Sequence, residues 1–328
     1  MQKADVKPTR LITIPAGIGD QIWIFQKLLS TGERYIFRSP DGEPQRSHQI
    51  HPLLPQLSAK HYYDRFTRPT KTIKAANIQR TLKLWSQIVA GGYTDFYLEA
   101  NSHVEAGHKL EGFLPDLDTH YKIDYHTTRE NKAEAAAYIP DITARRYVGI
   151  YTSSDRGYYE NPKTGLLEPD PWRLPEWISF IQMFKDEYDP VFVLIGADWD
   201  VNLTEPLRDQ LNYLNIENIY LKMIDYGSLI EVMKRLDYFL GFPSGNMIVN
   251  ETLGRDGLMF YTKTIAGQSG IINTWADPAR IKNGNIKECL FDTPETIFNW
   301  FKYNHNFKNV RGATNHAGRK SDLVSAAK

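Results

Sequence analysis

The sequence predicts an α/β protein with two domains, each built on a parallel sheet. Its 328 residues exceed one typical domain of roughly 150 residues. Apolar strand-like runs alternate with amphipathic helical segments in both halves, and this alternation is typical of parallel sheets. Each half also contains a strand, a glycine turn and a helix in succession. The predicted units are residues 1–145, residues 146–304 and a flexible basic tail at residues 305–328.

The composition excludes several classes of protein. Lys plus Arg and Asp plus Glu number 39 each, so no overall field favours an acidic or a basic partner. The single cysteine, Cys289, excludes an intrachain disulfide and leaves no thiolate metal site. No apolar run reaches the length of a membrane span, and the first ten residues lack the apolar segment of a signal peptide. We therefore expect a cytoplasmic protein without a membrane span.

The first half alternates strands with helices. Residues 39–55 are rich in Pro, Gly, His and Gln, and we expect a long loop there at the rim of a cleft. Residues 129–146, rich in Ala and Glu, are predicted to link the two domains. The predicted strands are residues 10–15, 35–38 and 95–100. One predicted helix begins at residue 20, and a second spans residues 73–89.

The second half continues the same alternation. A polar segment at residues 155–171 interrupts it and is predicted to be a loop. The predicted strands are residues 147–151, 191–195, 218–221 and 238–241, and the predicted helices are residues 175–187, 203–214, 228–235 and 246–253.

The turn after residues 238–241 predicts a phosphate site. Pro243 ends the strand, Ser244 suits a helix N-cap, and Gly245 lets backbone approach a ligand closely. Backbone N–H groups and the helix dipole then converge on one point, which favours an anion. An ordinary strand-to-helix turn uses the same residue types, so this turn alone leaves both interpretations open.

A second glycine turn, Gly17-Ile18-Gly19-Asp20, precedes the first amphipathic helix. Together the two turns resemble the heptosyltransferase-like glycosyltransferases, in which two Rossmann-type domains face each other across a cleft in the GT-B architecture. In that family a G-x-G-D turn opens the first domain, and a Gly-x-x-Ser-Gly turn, here residues 241–245, holds the donor diphosphate. Residues 172–184 also resemble the family's Trp-Pro-x-x-x-Phe helix opening, and residues 191–196 resemble the strand and glycine that follow.

The resemblance implies inverting transfer of a sugar from a nucleoside-diphosphate sugar to an acceptor hydroxyl. Such transfer needs a base for the hydroxyl proton, and Asp20 matches the family's proposed base. The alternative is that Asp20 caps its helix, where the dipole lowers the pKa of a carboxylate and weakens it as a base. Glu99 and His103, at the end of the strand at residues 95–100, are the reserve candidates, since ligands bind beyond strand carboxyl ends.

The predicted donor site combines residues from both glycine turns with residues that follow the second-domain strands. Pro243 and Ile248 stand where the lipopolysaccharide heptosyltransferases carry an acidic residue and a histidine, and this departure argues against ADP-heptose as the donor. No cofactor is required, no residue is assigned to a metal, and Mg²⁺ on the diphosphate is compatible with oxygen ligands. The predicted donor-binding residues are Gly17, Gly19, Thr152, Ser153, Ser154, Arg156, Gly196, Lys222, Met223, Ser244, Gly245 and Asn246.

The acceptor is the least specified part of the prediction. Residues 60–83 contain seven Lys or Arg against one Asp, with three aromatic residues interleaved. Such a patch suits a phosphorylated glycan or a nucleic acid, although a solvated surface has the same composition. Three interpretations remain open: a glycosyltransferase acting on a glycan or protein, one acting on hydroxymethylated pyrimidines in phage DNA, and a non-catalytic nucleotide-sugar binding protein.

Overall fold

The computed structural model describes part of the chain. The predicted helix at residues 73–89, the basic segment at residues 60–83 and the tail after residue 307 lie outside the described residues. The described residues are 9–13, 18–19, 22, 34–38, 50, 53–54, 97–99, 122–140, 145–152, 158–160, 167–169, 172–196, 201–222, 224–242, 244–261, 288–290, 293–305 and 307.

Three parallel strands form the sheet of the first half. They are β1 (Thr9–Thr13), β2 (Arg34–Arg38) and β3 (Tyr97–Glu99), in the order β2-β1-β3. Ile18, Gly19 and Ile22 are helical and follow β1. The structure thus confirms the three strands and the strand-to-helix unit that the sequence predicts here.

The second half contains the larger part of the described structure. The strands are β4 (Tyr147–Tyr151), β5 (Tyr158–Glu160), β6 (Leu167–Pro169), β7 (Val191–Gly196), β8 (Asn218–Lys222), β9 (Tyr238–Gly241), β10 (Gly257–Tyr261) and β11 (Glu288–Leu290). The helices are α1 (Arg129–Tyr138), α2 (Leu174–Tyr188), α3 (Val201–Tyr213), α4 (Tyr226–Met233), α5 (Gly245–Thr252) and α6 (Pro294–Asn304).

Six of these strands form one parallel sheet in the order β11-β10-β9-β4-β7-β8. In chain order, β7 and β8 are added on one side of β4. The later strands β9, β10 and β11 are then added on the other side of β4. This is the strand order of the doubly wound Rossmann fold. It places a topological switch point between β4 and β9, where the direction of building reverses.

Helices cover both faces of this sheet, because its central strands are apolar on both sides. In β7, Val191, Val193 and Ile195 pack into one buried cluster, whereas Phe192 and Leu194 pack into the other. This alternation follows from the two-residue period of a strand. Residues of α1, α4 and α5 complete the first cluster, and residues of α2, α3 and α6 complete the second.

Two predicted boundaries differ from the structure. The segment predicted as a polar loop, residues 155–171, contains the antiparallel pair β5 and β6. The predicted tail begins too early, because Phe307 is 7% exposed and its ring lies 5.9 Å from that of Phe301 in α6. The guanidinium of Arg146 also lies 4.9 Å from the centre of the Phe307 ring. The second half therefore extends its core at least to Phe307.

The predicted link between the domains is docked onto α4. In α1, Asn131 Nδ2 donates to Asp225 Oδ1 at 2.8 Å and to Ser228 Oγ at 3.1 Å. Just before α1, Thr127 Oγ1 donates to Glu231 Oε1 of α4. The end of the predicted rim loop is buried as well, with Leu53 O accepting from the backbone N–H of His126 at 2.7 Å. Residues 129–140 of the link are thus packed onto the folded second half.

Glu231 gives this docking a pH dependence. Burial alone would raise its pKa, but hydrogen bonds from Lys234 and Thr127, with the charges of Lys234 and Arg235, outweigh burial and lower the pKa. Because the pKa is lower in the folded state, the carboxylate contributes stability above its unfolded pKa. That stability is lost as the pH falls through the folded-state pKa.

We expect Glu231→Gln to lower the free energy of unfolding by about 1–2 kcal/mol at neutral pH, because it removes a hydrogen-bonded charge. The difference from wild type should begin to shrink as the pH falls below about 4.3, where the carboxylate of the unfolded chain becomes protonated, and should continue to shrink through the lower folded-state pKa. Urea unfolding at several pH values measures this difference. Glu187→Gln is the control, since its pair with Lys302 at 2.7 Å is exposed and should contribute little. A difference that persists undiminished at about pH 3 would contradict the assignment.

Candidate functional site

The carboxyl ends of β4 and β9 lie side by side at the switch point. Tyr151 and Gly241 are partners in the parallel register, and both end their strands. A Cβ built on Gly241 would lie 2.5 Å from the carbonyl oxygen of Tyr151, so only glycine fits there. Ligands of open α/β sheets bind outside the carboxyl ends of strands at such a reversal. The residues that follow β4 and β9 are therefore the candidate site.

The helix that follows β9 presents its N-terminus to this site. Ser244 caps α5, and its hydroxyl accepts from the backbone N–H of Met247 at 3.3 Å, which confirms the predicted N-cap. The N–H groups of Gly245 and Asn246 have no carbonyl acceptor within the helix, because they belong to its first turn. The start of α5 can therefore bind an anion such as a phosphate through backbone donors and the helix dipole.

The two predicted glycine turns meet at this point. A Cβ built on Gly245 would lie 3.1 Å from the backbone nitrogen of Gly19 and 3.4 Å from Ile18 Cβ. A Cβ built on Gly19 would lie 3.2 Å from Gly245 Cα and 2.5 Å from Ile248 Cδ1. The two backbones thus approach each other more closely than side chains would allow. The helix after β1 and the start of α5 together frame one site.

An aromatic cluster holds the turn between β9 and α5. The ring of Phe242, which is 2% exposed, packs edge-on against Trp172 at 6.1 Å and Trp177 at 5.8 Å between centroids. Both tryptophans are buried, and they lie just before and within the first turn of α2. Edge-to-face packing of this kind fixes ring orientation. The segment that resembles the family's Trp-Pro-x-x-x-Phe opening therefore supports the candidate site through Phe242.

Two buried tyrosines, Tyr226 and Tyr125, form hydrogen bonds with side chains at the two ends of α5. The Tyr226 hydroxyl donates to Asn246 Oδ1 at 3.0 Å, and the Tyr125 hydroxyl lies 2.7 Å from Thr252 Oγ1. Burial raises the pKa of Tyr226 well above its ordinary value, and the nearby Tyr125 and Tyr151 add to the effect. Burial also raises the pKa of Tyr125, although its hydrogen bond with Thr252 opposes this. Both phenols therefore stay protonated at physiological pH.

Some predicted donor residues have structural partners of their own. Thr152 is fully buried after β4, and its Oγ1 lies 2.9 Å from Oγ1 of Thr204 in α3. A Cβ built on Gly196 would lie 2.7 Å from the Tyr220 ring, so this glycine makes room for an aromatic side chain on β8. Lys222 Nζ donates to Glu205 Oε1 at 2.5 Å on the surface. Donor contacts by these three residues stay predictions.

Of the three catalytic candidates, only Glu99 lies among the described residues. Glu99 ends β3 opposite Thr13, the last residue of β1, so it lies on the same sheet edge that leads into the first glycine turn. The remaining predicted site residues fall outside the described part of the chain: Asp20, His103, Gly17, Ser153, Ser154, Arg156 and Met223.

Sequence reasoning missed Tyr226. The stretch from Asp225 to Ser228 has the signal of a helix start, and Asp225 caps α4 by accepting from Gly227 and Ser228 N–H groups. The contact with Asn246 depends on how α4 and α5 pack together in the fold. No local pattern in the sequence predicts how close the two helices lie.

Metal-ligating clusters and membrane-crossing helices are both absent from the described residues. No set of three or more His, Cys, Asp or Glu residues there is arranged to hold a metal ion. None of the helices described is both long and apolar enough to cross a bilayer.

Comparison with solved structures identifies the fold. A glycosyl transferase of family 9 from Veillonella parvula superposes with a TM-score of 0.58 at 12% identity, covering 92% of this chain and 90% of that one. The ADP-heptose lipopolysaccharide heptosyltransferase II of E. coli gives 0.57 at 13% identity, with 90% and 98% covered. A second E. coli heptosyltransferase, solved with ADP-2-deoxy-2-fluoro heptose, gives 0.53 at 14% identity, with 90% and 100% covered.

Neither a family model nor a curated protein matches the sequence. At these identities the structural similarity establishes the fold, and it does so over nearly the whole chain. The chain has the α/β fold of the GT-B, heptosyltransferase-like glycosyltransferases. This confirms the fold class that the two glycine turns predict.

Proposed function

We propose that this protein is a glycosyltransferase that moves a sugar from a nucleoside-diphosphate sugar to an acceptor hydroxyl with inversion. The observation that carries the proposal is the meeting of two glycine turns at the switch point of a Rossmann-ordered sheet. The turn before α5 leads into a helix start that suits an anion. The first glycine turn contains, in the sequence, Asp20, the candidate base. A diphosphate and a base are the two groups that this transfer requires.

The proposed reaction assigns a role to each side of the site. Asp20 takes the proton of the acceptor hydroxyl while the hydroxyl oxygen attacks the anomeric carbon, and the bond from that carbon to the diphosphate breaks. Negative charge grows on the departing diphosphate. The N–H groups of Gly245 and Asn246 and the positive end of α5 stabilise that charge. Glu99 and His103 remain the reserve candidates for the base.

The class of donor is supported from outside the chain as well. One of the structures with this fold was solved with an ADP-sugar analogue, and another is named for ADP-heptose. Because Pro243 and Ile248 stand where the family resemblance implies an acidic residue and a histidine, we leave the sugar and the base of the donor open. The acceptor is also open, since the basic segment at residues 60–83 lies outside the described residues.

Ligand binding tests the proposal directly. Each nucleoside diphosphate, ADP, GDP, UDP and CDP, is added in thermal unfolding scans beside its monophosphate. A diphosphate present at a hundred times its dissociation constant should stabilise the fold by about 2.7 kcal/mol, and the monophosphate should stabilise it less. If each diphosphate and its monophosphate stabilise the fold equally, or if no diphosphate stabilises it, a diphosphate site at α5 is contradicted.

A further inference from the structure

The amide of Asn246 has a fixed orientation at the start of α5. Asn246 is the second residue of the helix and is half-buried. Its Oδ1 accepts a hydrogen bond from the Tyr226 hydroxyl at 3.0 Å. A side-chain amide has its acceptor and its donors on opposite sides, so an oxygen held by the phenol turns Nδ2 away from Tyr226. Among the described residues, none accepts from Nδ2.

The phenol that holds this amide is itself held in place. Tyr226 is the first residue of α4 and is 7% exposed. Its helix starts at Asp225, whose carboxylate binds the first-turn N–H groups and accepts from Asn131 of α1. The protonated hydroxyl donates to Asn246 Oδ1, which leaves the amide oxygen as the acceptor. Tyr226 therefore imposes one orientation on the amide.

We propose that Tyr226 is a positioning residue that aims Asn246 Nδ2 at the diphosphate of the donor, adding a side-chain donor to the backbone N–H groups of α5. The inference rests on the proposed function, since it names a further group at the same diphosphate. A phosphate oxygen at the helix start is a charged acceptor, and hydrogen bonds to charged groups are the stronger class. Without the phenol, the amide would rotate freely and lose part of that contact.

Tyr125 offers a matched control within the same helix. Its phenol is as deeply buried as that of Tyr226, and its hydroxyl binds α5 at the opposite end, at Thr252. Tyr125→Phe and Tyr226→Phe should therefore lower the melting temperature by similar amounts. Only Tyr226→Phe should weaken ligand binding, because Thr252 lies at the C-terminal end of α5, away from the anion site.

The test is a double-mutant cycle in calorimetric titration with ADP, GDP, UDP or CDP, using whichever binds the wild-type protein most tightly. Asn246→Ala should weaken binding about tenfold or more, and Tyr226→Phe about three- to tenfold. In the double variant the loss should equal that of Asn246→Ala alone, because Tyr226 acts through the amide. Tyr125→Phe should bind as the wild-type protein does.

Each outcome of the cycle decides one question. Unchanged binding by Tyr226→Phe, or losses that multiply in the double variant, would overturn the positioning role while leaving the diphosphate site in place. If Tyr125→Phe weakens nucleotide binding as much as Tyr226→Phe does, the loss of affinity follows from the lower stability of α5, and the positioning role is overturned as well. If the wild-type protein binds none of the four nucleotides, the proposed function itself fails, and this inference fails with it.

Discussion

Gly245→Val is expected to weaken nucleoside diphosphate binding by about ten- to a hundredfold, the effect of losing one or two charge-assisted hydrogen bonds. A Cβ at this position already lies 3.1 Å from the backbone nitrogen of Gly19. The branched side chain must push the two glycine turns apart or fill the space in front of the α5 N–H groups. Either change removes backbone donors from the phosphate, and calorimetry with the tightest-binding diphosphate measures the loss.

A second glycine separates loss of binding from loss of stability. Gly149 lies in the middle of β4, where a Cβ would come within 2.5 Å of Phe239 Cδ2 in the core. Gly149→Ala should therefore lower the free energy of unfolding by about 1–3 kcal/mol through overpacking, yet leave affinity intact. Gly245→Val should weaken nucleotide affinity, whatever its effect on stability. Unchanged affinity in Gly245→Val would remove the diphosphate from the start of α5.

Asp20→Asn is expected to lower turnover by about a hundredfold or more while donor affinity barely changes. Asparagine keeps the shape of aspartate and caps a helix about equally well, but it cannot take a proton from the acceptor hydroxyl. The change therefore separates proton transfer from capping. Steady-state rates and donor affinity, measured on the same preparation, give both quantities.

The outcomes for Asp20 do not overlap. A fully active Asp20→Asn enzyme would mean that Asp20 only caps its helix, and the base would then be sought with Glu99→Gln and His103→Asn. A variant that loses donor binding would mean that Asp20 holds the site together. Gly19, which precedes Asp20 in the sequence, lies against the start of α5.

The strand, turn and helix around Ser244 were predictable because every signal in them is local. The apolar run of β9, the N-cap serine and the helical spacing of Val249 and Leu253 all act within a few residues, and the structure places β9 and α5 accordingly. The Rossmann order of the sheet followed from strand-helix alternation together with the family resemblance.

The features that the sequence did not predict depend on contacts between distant residues. The β5–β6 pair forms in a polar segment without apolar alternation, and only the pairing itself defines it. Phe307 follows residues typical of a tail, yet the aromatic cluster around Phe184 and Phe301 buries its ring. The hydrogen bond from Tyr226 to Asn246 likewise joins two helices whose separation no local pattern encodes.

Mass spectrometry of the acceptor tests the central claim most directly. The protein is incubated with a panel of sugar nucleotides and with glycans, peptides and hydroxymethylated DNA as acceptors. We expect one acceptor class to gain the mass of a glycosyl residue, with an equal amount of nucleoside diphosphate released, and Asp20→Asn to abolish most of the gain. Tight binding of a sugar nucleotide without product on any acceptor would contradict the claim and identify a binding protein instead.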